Sequence, residues 1–149
     1  MPHLAQFNIG KINHPLDDPR MAGFVDNLDR INALADTAPG FVWRLKTEDG
    51  NATSIETYED PRVIVNMSVW ESVDALKAYV YKSEHSHFLR RREEWFERIM
   101  PYMVMWWIPD GHIPTLEEAK TRLVHLQHHG ETAHAFTFRK VFEYQASEV

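Results

Sequence analysis

The chain has 149 residues, of which 44% are hydrophobic, and this length and composition predict one globular domain with a core of its own. The formal net charge of −6 gives no general attraction for nucleic acid, and no apolar run is long enough to predict a membrane span. Because the sequence has no cysteine, it excludes a disulfide scaffold, thiolate metal ligands and a cysteine nucleophile. We expect a cytoplasmic protein, since the N-terminus lacks the basic and apolar stretches of a signal peptide.

The first part of the chain predicts two strands separated by a helix. Residues 4–10 alternate apolar and polar side chains and end at a glycine, which is typical of a strand. Residues 17–38 carry an apolar stripe at the helical period, and Asp17 or Asp18 is a suitable N-cap. A proline and a glycine end this helix, and residues 41–46 form the second strand.

The central part predicts two further strands separated by helices. Residues 63–72, VIVNMSVWES, form the third strand, and Ser72 caps a short helix that follows. The segment HSHFLRRREEWFERI has the pattern of another helix, which ends at Pro101. Residues 102–108 form the fourth strand.

A C-terminal extension follows these four strands. Thr115 and Glu118 make a capping box at the start of an amphipathic helix that ends near Gly130. Residues 135–144 form a further strand or an arm. We expect the extension to pack on the rest of the chain, because no linker separates the two parts.

The order β-α-β-β-α-β predicts an α+β fold of the ferredoxin-like type, in which helices cover one face of a four-stranded antiparallel sheet. We expect a single domain over residues 1–149, with a ferredoxin-like core over 1–112 and the extension over 113–149. Both faces of the third strand are largely apolar, so the second face of the sheet also needs a cover. A second subunit is the simplest cover, which predicts a homodimer through the sheet face, with Val65 and Met67 beneath the partner.

Polar side chains share faces on two of the predicted strands. Asn66, Ser68 and Trp70 point to one side of the third strand, and Gln6 and Asn8 point to one side of the first. These side chains either line a pocket or form a satisfied network of buried amides that fixes the strand register. Tryptophan in such a position is more often a core residue than a site residue.

The helix after the third strand adds two polar residues to its apolar stripe. His85 and Arg92 fall within that stripe, whereas Arg90 and Arg91 point elsewhere. An inward-facing arginine needs a partner or a ligand, so Arg92 either lies at the rim, pairs with a core carboxylate or faces a pocket. His85 is either partly exposed in the first helical turn or part of the same pocket. Asn32 lies at the edge of the apolar stripe of the first helix.

These positions predict a single cavity that is mostly apolar and has a few convergent polar groups, as small-molecule sites usually have. Its predicted wall residues are Asn8, Asn66, Trp70, His85 and Arg92. We predict no metal site, because the histidines of the C-terminal helix lie off its apolar stripe and lack the spacing of known zinc ligands. They are His125, His128 and His129.

The segment NMSVWESVDALKAYVYKSEHSHF resembles the strand and helix of the antibiotic biosynthesis monooxygenase type, where a strand ending in tryptophan and an acidic residue precedes an ALEAH-like helix. Nearly the whole chain, from MPHLAQFNIG to YMVMWWIPDGH and the helix after it, resembles a family of unassigned function in the same dimeric α/β-barrel superfamily. The resemblance implies a ferredoxin-like protomer, a dimeric barrel and a cavity between the sheet and its helices.

The resemblance also implies roles for individual residues. In the cofactor-free monooxygenases an asparagine and a tryptophan four residues apart line the cavity, and Asn66 and Trp70 match them. An arginine further along contributes, and either Arg92 or Arg90 matches it, with Arg92 favoured by the helix pattern.

The haem-degrading relatives use an asparagine of the first strand, which Asn8 matches, and a histidine of the following helix. Tyr79 stands at the position of that histidine, and this departure puts haem chemistry in doubt. We therefore expect no cofactor, although haem is the one the superfamily would suggest.

The function expected from these observations is a cofactor-independent oxygenase, or a related enzyme, acting on an aromatic or polyketide-like small molecule. Its catalytic candidates are Asn66, Trp70, His85 and Arg92. Its candidates for substrate binding are Gln6, Asn8, Asn32, Ser68 and Tyr79. The alternative is a protein that binds a hydrophobic ligand or haem in the same cavity without catalysis.

Overall fold

The computed structural model describes residues 2–46, 62–82, 90–97 and 102–144. Its strands are β1 (His3–Lys11), β2 (Phe41–Arg44), β3 (Val63–Trp70) and β4 (Met103–Ile108). In the described part, the α-helices are α1 (Ala22–Asp36), α2 (Val73–Lys82), α3 (Arg92–Trp95) and α4 (Leu116–His129). A 3-10 turn (Pro19–Met21) precedes α1, so the helix predicted over residues 17–38 starts with a tighter turn.

The four strands form one antiparallel sheet in the order β2-β3-β1-β4. This order places the first strand between the third and the fourth, and it confirms the predicted ferredoxin-like fold. In the register of β1 against β3, Gln6 lies opposite Ser68 and Asn8 lies opposite Asn66. The polar residues of both strands therefore lie on the same face of the sheet.

The helices α1 and α2 cover this polar face. Trp70 and Met105 of the sheet pack with Ala35 of α1 and Leu76 of α2 in one buried cluster. The bulged pairing of β2 with β3 brings Phe41 into the same cluster, where its ring contacts Trp70 at a centroid distance of 5.5 Å. This packing holds the sheet and the helices at the separation in which a cavity can form.

The opposite face of the sheet is apolar and packs against α4. Phe7, Met67 and Trp106 lie in one cluster with Leu123 of α4. The exposed fractions of Val65 and Met67 are only 5% and 1% within the single chain. The expectation that a partner subunit covers these two residues is therefore wrong, because the chain already buries them.

The helix predicted over HSHFLRRREEWFERI does not extend through the described residues 90–97. α3 ends at Trp95, and Phe96 has extended backbone angles and forms a bridge with Ile12. The backbone of Glu97 donates to the carbonyl of Lys11 at 2.8 Å. The segment thus pairs with the end of β1, because backbone pairing with the sheet replaces further helical turns there.

The segment after α4 is the predicted arm, and it extends the sheet by one bridge. The backbone groups of Phe136 and Met105 exchange two hydrogen bonds, of 2.7 and 2.9 Å. The indole of Trp107 donates to the carbonyl of Phe142 at 2.7 Å. These bonds fix the arm along the β4 edge, beside the face that α2 covers.

Candidate functional site

The polar side chains of β1 and β3 form a hydrogen-bond network centred on Gln6. The Gln6 Nε2 group donates to Asn66 Oδ1 and to Ser68 Oγ, both at 2.8 Å. Gln6 Oε1 accepts from Asn8 Nδ2 at 3.0 Å, and Trp70 Nε1 donates to Ser68 Oγ at 2.8 Å. Since Gln6 is only 4% exposed, the network replaces water as its hydrogen-bonding partner.

The network leaves one side-chain amide group without a partner among the described residues. Asn66 uses its Oδ1 atom to accept from Gln6 and, at 3.5 Å, from Asn8. Its Nδ2 group donates to no residue that the structure describes. Asn66 lines a cavity, so this amide is a donor that a ligand can use.

Arg92 reaches the same cavity from the other side, and the packing of α3 against β1 determines its position. The ring of Phe96 lies directly over Gly10, where an added Cβ atom would stand 2.6 Å from it. The backbone amide of Asn13 donates to the carbonyl of Trp95 at 2.8 Å. Glycine at position 10 thus allows the close approach that fixes Arg92 over the end of β1.

No carboxylate among the described residues pairs with the Arg92 guanidinium. The Nη2 group donates to the backbone carbonyl of Ile9 at 3.1 Å. The guanidinium carbon lies 4.1 Å from the ring centre of Tyr102 and 5.0 Å from that of Phe96. Burial lowers the pKa of Arg92 from its usual value, because the cation is partly removed from water.

The cavity between the sheet and the helices has a volume of about 200 Å³. Asn66, Ser68 and Arg92 contribute polar groups to its wall. Most of the remaining wall is apolar or aromatic, and it includes Phe24, Leu28, Ile31, Ile64, Trp70, Trp95, Phe96, Tyr102 and Met103. A partly dehydrated cation and an amide donor in apolar surroundings suit a flat anionic molecule.

The other predicted site residues that the structure describes also line this cavity. Asn32 is half-buried there, and its side chain makes no hydrogen bond with the described residues. The Tyr79 hydroxyl donates to the carbonyl of Ile31 at 2.9 Å, and burial raises its pKa well above the usual range. Trp70 is 1% exposed, and its indole N–H group donates to Ser68. His85 lies outside the described residues.

Several wall residues do not follow from the sequence patterns. Tyr102 and Met103 reach the cavity at the start of β4, where a strand pattern does not indicate which end is open. Arg44 of β2 also lines it, but its Nε group bonds to Asp36 at 2.6 Å. The two arginines of the wall therefore differ, because Arg44 is balanced by a carboxylate, whereas Arg92 pairs with none in the part of the chain that the structure describes.

The histidines of α4 form a separate group. The ring of His125 lies 4.5 Å from that of His129 and 4.6 Å from that of His134. His134 Nδ1 is within 2.9 Å of Arg122 Nη1. Within the described ranges, no three histidine or carboxylate side chains are arranged to hold a metal ion. None of the helices in those ranges has the length and apolar character that crossing a bilayer requires.

The fold and the site together define a ferredoxin-like α+β protein with a largely apolar cavity between its sheet and its helices. The chain belongs to the family described as Domain of unknown function (DUF3291), whose model matches residues 3–149. The predicted membership of a family without an assigned function is thereby confirmed. No curated protein is significantly similar to this chain in sequence.

Solved structures with a similar fold are distant in sequence. A protein of unknown function from Nitrosomonas europaea is 14% identical, with a TM-score of 0.50 over 77% of this chain and 97% of that chain. SnoaB, a cofactor-independent oxygenase from Streptomyces nogalater, is 14% identical in a single-substitution variant, with a TM-score of 0.47 over 74% of this chain and 95% of that chain.

A monooxygenase from Streptomyces coelicolor, solved in complex with nanaomycin D, is 18% identical. Its TM-score is 0.41, over 76% of this chain and 91% of that chain. At such identities the likeness concerns the fold alone.

Proposed function

We propose that the protein is an enzyme that binds an aromatic enol or phenol as its anion and catalyses the reaction of that anion with dioxygen without a cofactor. The observation that carries the proposal is the Arg92 guanidinium, which faces an apolar cavity without a carboxylate partner among the described residues. An anionic ligand would supply the missing charge and gain a strong interaction in return.

Asn66 and Arg92 have the main electrostatic roles in this proposal. The Asn66 side-chain amide donates to the ligand oxygen, and Arg92 stabilises the negative charge on it. Gln6 and Ser68 are positioning residues, because their hydrogen bonds hold Asn66 and Trp70 in place. Trp70 then acts as a wall of the cavity, since its indole N–H is already used within the network.

The reaction can be written for anthrone as a test substrate. Loss of a ring CH proton gives the enolate, which transfers an electron to dioxygen. Recombination forms a carbon–oxygen bond, and loss of water from the resulting hydroperoxide gives anthraquinone. One anthrone and one dioxygen thus yield one anthraquinone and one water. We assign the base to His85, the histidine that the sequence pattern places on the same stripe as Arg92. No described residue of the cavity wall is a histidine or a carboxylate.

The same lack of a base within the described wall favours a second candidate, a protein that binds a hydrophobic anion without catalysis. Substitution of His85 separates the two. If the protein is an enzyme, His85→Ala removes turnover and leaves ligand binding within about twofold, while His87→Ala is the matched control. If the protein only binds, neither variant nor the natural protein consumes oxygen above the uncatalysed rate.

The resemblance would place the axial ligand of haem at position 79, and Tyr79 does not suit that role. An axial tyrosine binds haem iron as the phenolate. Tyr79 instead donates a hydrogen bond to the carbonyl of Ile31, and burial raises its pKa, so the phenolate is disfavoured there. Titration with haemin is the check, and a shifted Soret band that is lost in Tyr79→Phe would contradict this conclusion.

The roles of Arg92 and Asn66 are tested by oxygen consumption with anthrone. We expect Arg92→Ala and Asn66→Ala each to lower kcat/KM at least about tenfold, the effect of losing one charge-assisted hydrogen bond. Arg90→Ala is the matched control, because Arg90 is exposed and does not line the cavity. Unchanged activity in Arg92→Ala would show that the cation has no role in turnover.

The homodimer and the cytoplasmic location remain predictions. Since α4 already covers the sheet face that was expected to need a partner, a dimer is no longer required to bury Val65 and Met67. Light scattering at micromolar concentration is the test. A mass near 17.5 kDa would indicate a monomer in which α4 takes the place of the partner's sheet, and twice that mass would support the dimer.

A further inference from the structure

A second cavity adjoins the first and is lined largely by the C-terminal extension. Its volume is about 420 Å³, and it lies between the end of α2, the start of β4 and residues 130–139. Val80, Tyr102 and Met103 line both cavities. The two spaces therefore share a wall, and the side chains of that wall determine how a ligand can extend from one to the other.

The inner surface of the second cavity is mostly apolar. Tyr81 and Phe138 contribute rings that meet edge to face at a centroid distance of 5.7 Å, and Leu126 of α4 adds an aliphatic side chain. Burial raises the pKa of the Tyr81 phenol, so this ring is neutral in ordinary buffers. Such a surface suits an alkyl or aryl group without charge.

The polar groups of the second cavity largely bond to one another. Thr137 Oγ1 donates to Glu131 Oε1 at 2.8 Å. Thr137 Oγ1 also accepts from the backbone amide of Arg139 at 3.1 Å. These bonds hold the turn that carries Phe138, and the bridge between Phe136 and Met105 fixes that turn beside β4. These contacts hold the residues of the C-terminal extension that form the cavity wall.

The volumes of the two cavities indicate which part of a ligand the second cavity would bind. Ligand sites in proteins usually have volumes of roughly 300–1,000 Å³. The first cavity, of about 200 Å³, lies below that range and is lined by the Arg92 cation and the Asn66 amide. The second, of about 420 Å³, has an apolar surface and lies next to it. Together they match a molecule with a small acidic head and a larger apolar part.

We propose that the second cavity is a subsite for the apolar substituent of the ligand whose ionised ring lies beside Arg92. The substrate class is then an acidic phenol or enol with an alkyl or aryl substituent of several carbon atoms. This inference rests on the proposed anion site, because it concerns the remote part of the same ligand. Tyr81, Phe138 and Met103 determine the preference for the length of the substituent.

The experiment compares two phenols that differ only in the substituent. Orcinol and olivetol are resorcinols that carry a methyl and a pentyl group at the same ring position. Calorimetric titration at pH 9, where part of each phenol is ionised, gives the two Kd values. Each fully buried methylene is worth roughly fourfold in affinity, so we expect olivetol to bind at least about tenfold more tightly than orcinol.

Variants assign this preference to the second cavity. We expect Tyr81→Ala to reduce the affinity ratio between olivetol and orcinol about fivefold, because it removes one ring of the wall. Tyr81 is 49% exposed, so the variant is expected to fold, and Phe138→Ala is a second test of the same wall. Val141→Ala is the control, since Val141 lies in the same arm, is 43% exposed and lines neither cavity.

The possible results separate the subsite from the anion site. Equal affinity for the two phenols, or a ratio that both wall variants leave unchanged, would overturn the subsite and leave the proposed anion site intact. Binding of both phenols that persists in Arg92→Ala would overturn the anion site instead. If neither phenol binds, the proposed function fails and the subsite fails with it.

Discussion

Gln6 is the residue through which the polar side chains of the sheet are connected. It donates to Asn66 and Ser68 and accepts from Asn8 while it is almost fully buried. We expect Gln6→Leu to lower the free energy of unfolding by about 1–3 kcal/mol, because buried polar groups lose their partner. Urea unfolding measures this change.

A matched control for this substitution lies on α4. Gln127 is exposed, and Gln127→Leu should change the free energy of unfolding by less than about 0.5 kcal/mol. Equal effects in the two variants would mean that the network does not contribute to stability. In that case its role would be limited to orienting Asn66.

At the residue scale, the sequence predicts which side chains share a face but not how they are bonded. Alternation along β1 and β3 suffices to place Gln6, Asn8 and Asn66 on one side, since the side-chain period of a strand is two. The pocket and the amide network were alternative interpretations, and the structure contains both. The network satisfies Gln6 and Ser68, while the Nδ2 group of Asn66 has no partner among the described residues. This division depends on the individual donor–acceptor distances.

At the element scale, α3 illustrates the limit of a helical pattern. Arg92 was expected to face the sheet because it falls on an apolar stripe, and it does line the cavity. The helix nevertheless ends at Trp95, because Phe96 forms a backbone bridge with Ile12, the residue that follows β1. Periodicity within one segment contains no information on such pairing with a distant residue.

The N-terminus of α4 uses its predicted capping box in a different way. Thr115 Oγ1 accepts from the Glu118 amide at 3.1 Å, as the pattern predicts. The Glu118 carboxylate instead accepts from Trp106 Nε1 and bonds to His112 Nε2, both at 2.8 Å. Glu118 therefore ties the start of α4 to β4, which positions the helix over the sheet.

This contact predicts a pH-dependent contribution to stability. Burial raises the pKa of Glu118, but the hydrogen bonds from His112 and Trp106 outweigh it, so the pKa lies below its ordinary 4.5. A depressed carboxyl pKa stabilises the fold above the unfolded-state value, and this stabilisation is lost as pH falls through the folded-state value. We expect Glu118→Gln to lower Tm by about 2–4 °C at pH 7.

Thermal unfolding between pH 7 and pH 3 measures this contribution. The difference in Tm between the natural protein and Glu118→Gln should persist down to about pH 5 and close at lower pH. Glu117→Gln is the control, since Glu117 lies in the same helical turn but is exposed. A difference in Tm that stays constant down to pH 3 would show that the charge of Glu118 does not contribute to stability.

At the scale of the whole molecule, the C-terminal extension supplies the cover that the second face of a ferredoxin-like sheet needs. The apolar pattern of β3 correctly indicates that both faces are covered, but it cannot identify the cover. The helix α4 covers one face, and the arm with Phe136 and Phe142 adds to the other. The amphipathic stripe of α4 was visible in the sequence, whereas its docking position depends on contacts with residues more than a hundred positions away.

If the extension is part of one domain, the chain should unfold in a single cooperative transition. Phe136 is fully buried and joins the arm to β4, so Phe136→Ala should lower the free energy of unfolding by about 3–5 kcal/mol. The exposed Val141 of the same arm provides the control, with an expected change below about 0.5 kcal/mol in Val141→Ala.

Tryptophan fluorescence and far-ultraviolet circular dichroism should give coincident urea transitions in both variants, because Trp70, Trp95 and Trp106 report on the sheet and its covers together. Two separate transitions in Phe136→Ala, with the fluorescence change unshifted, would mean that the extension folds independently of the ferredoxin-like core.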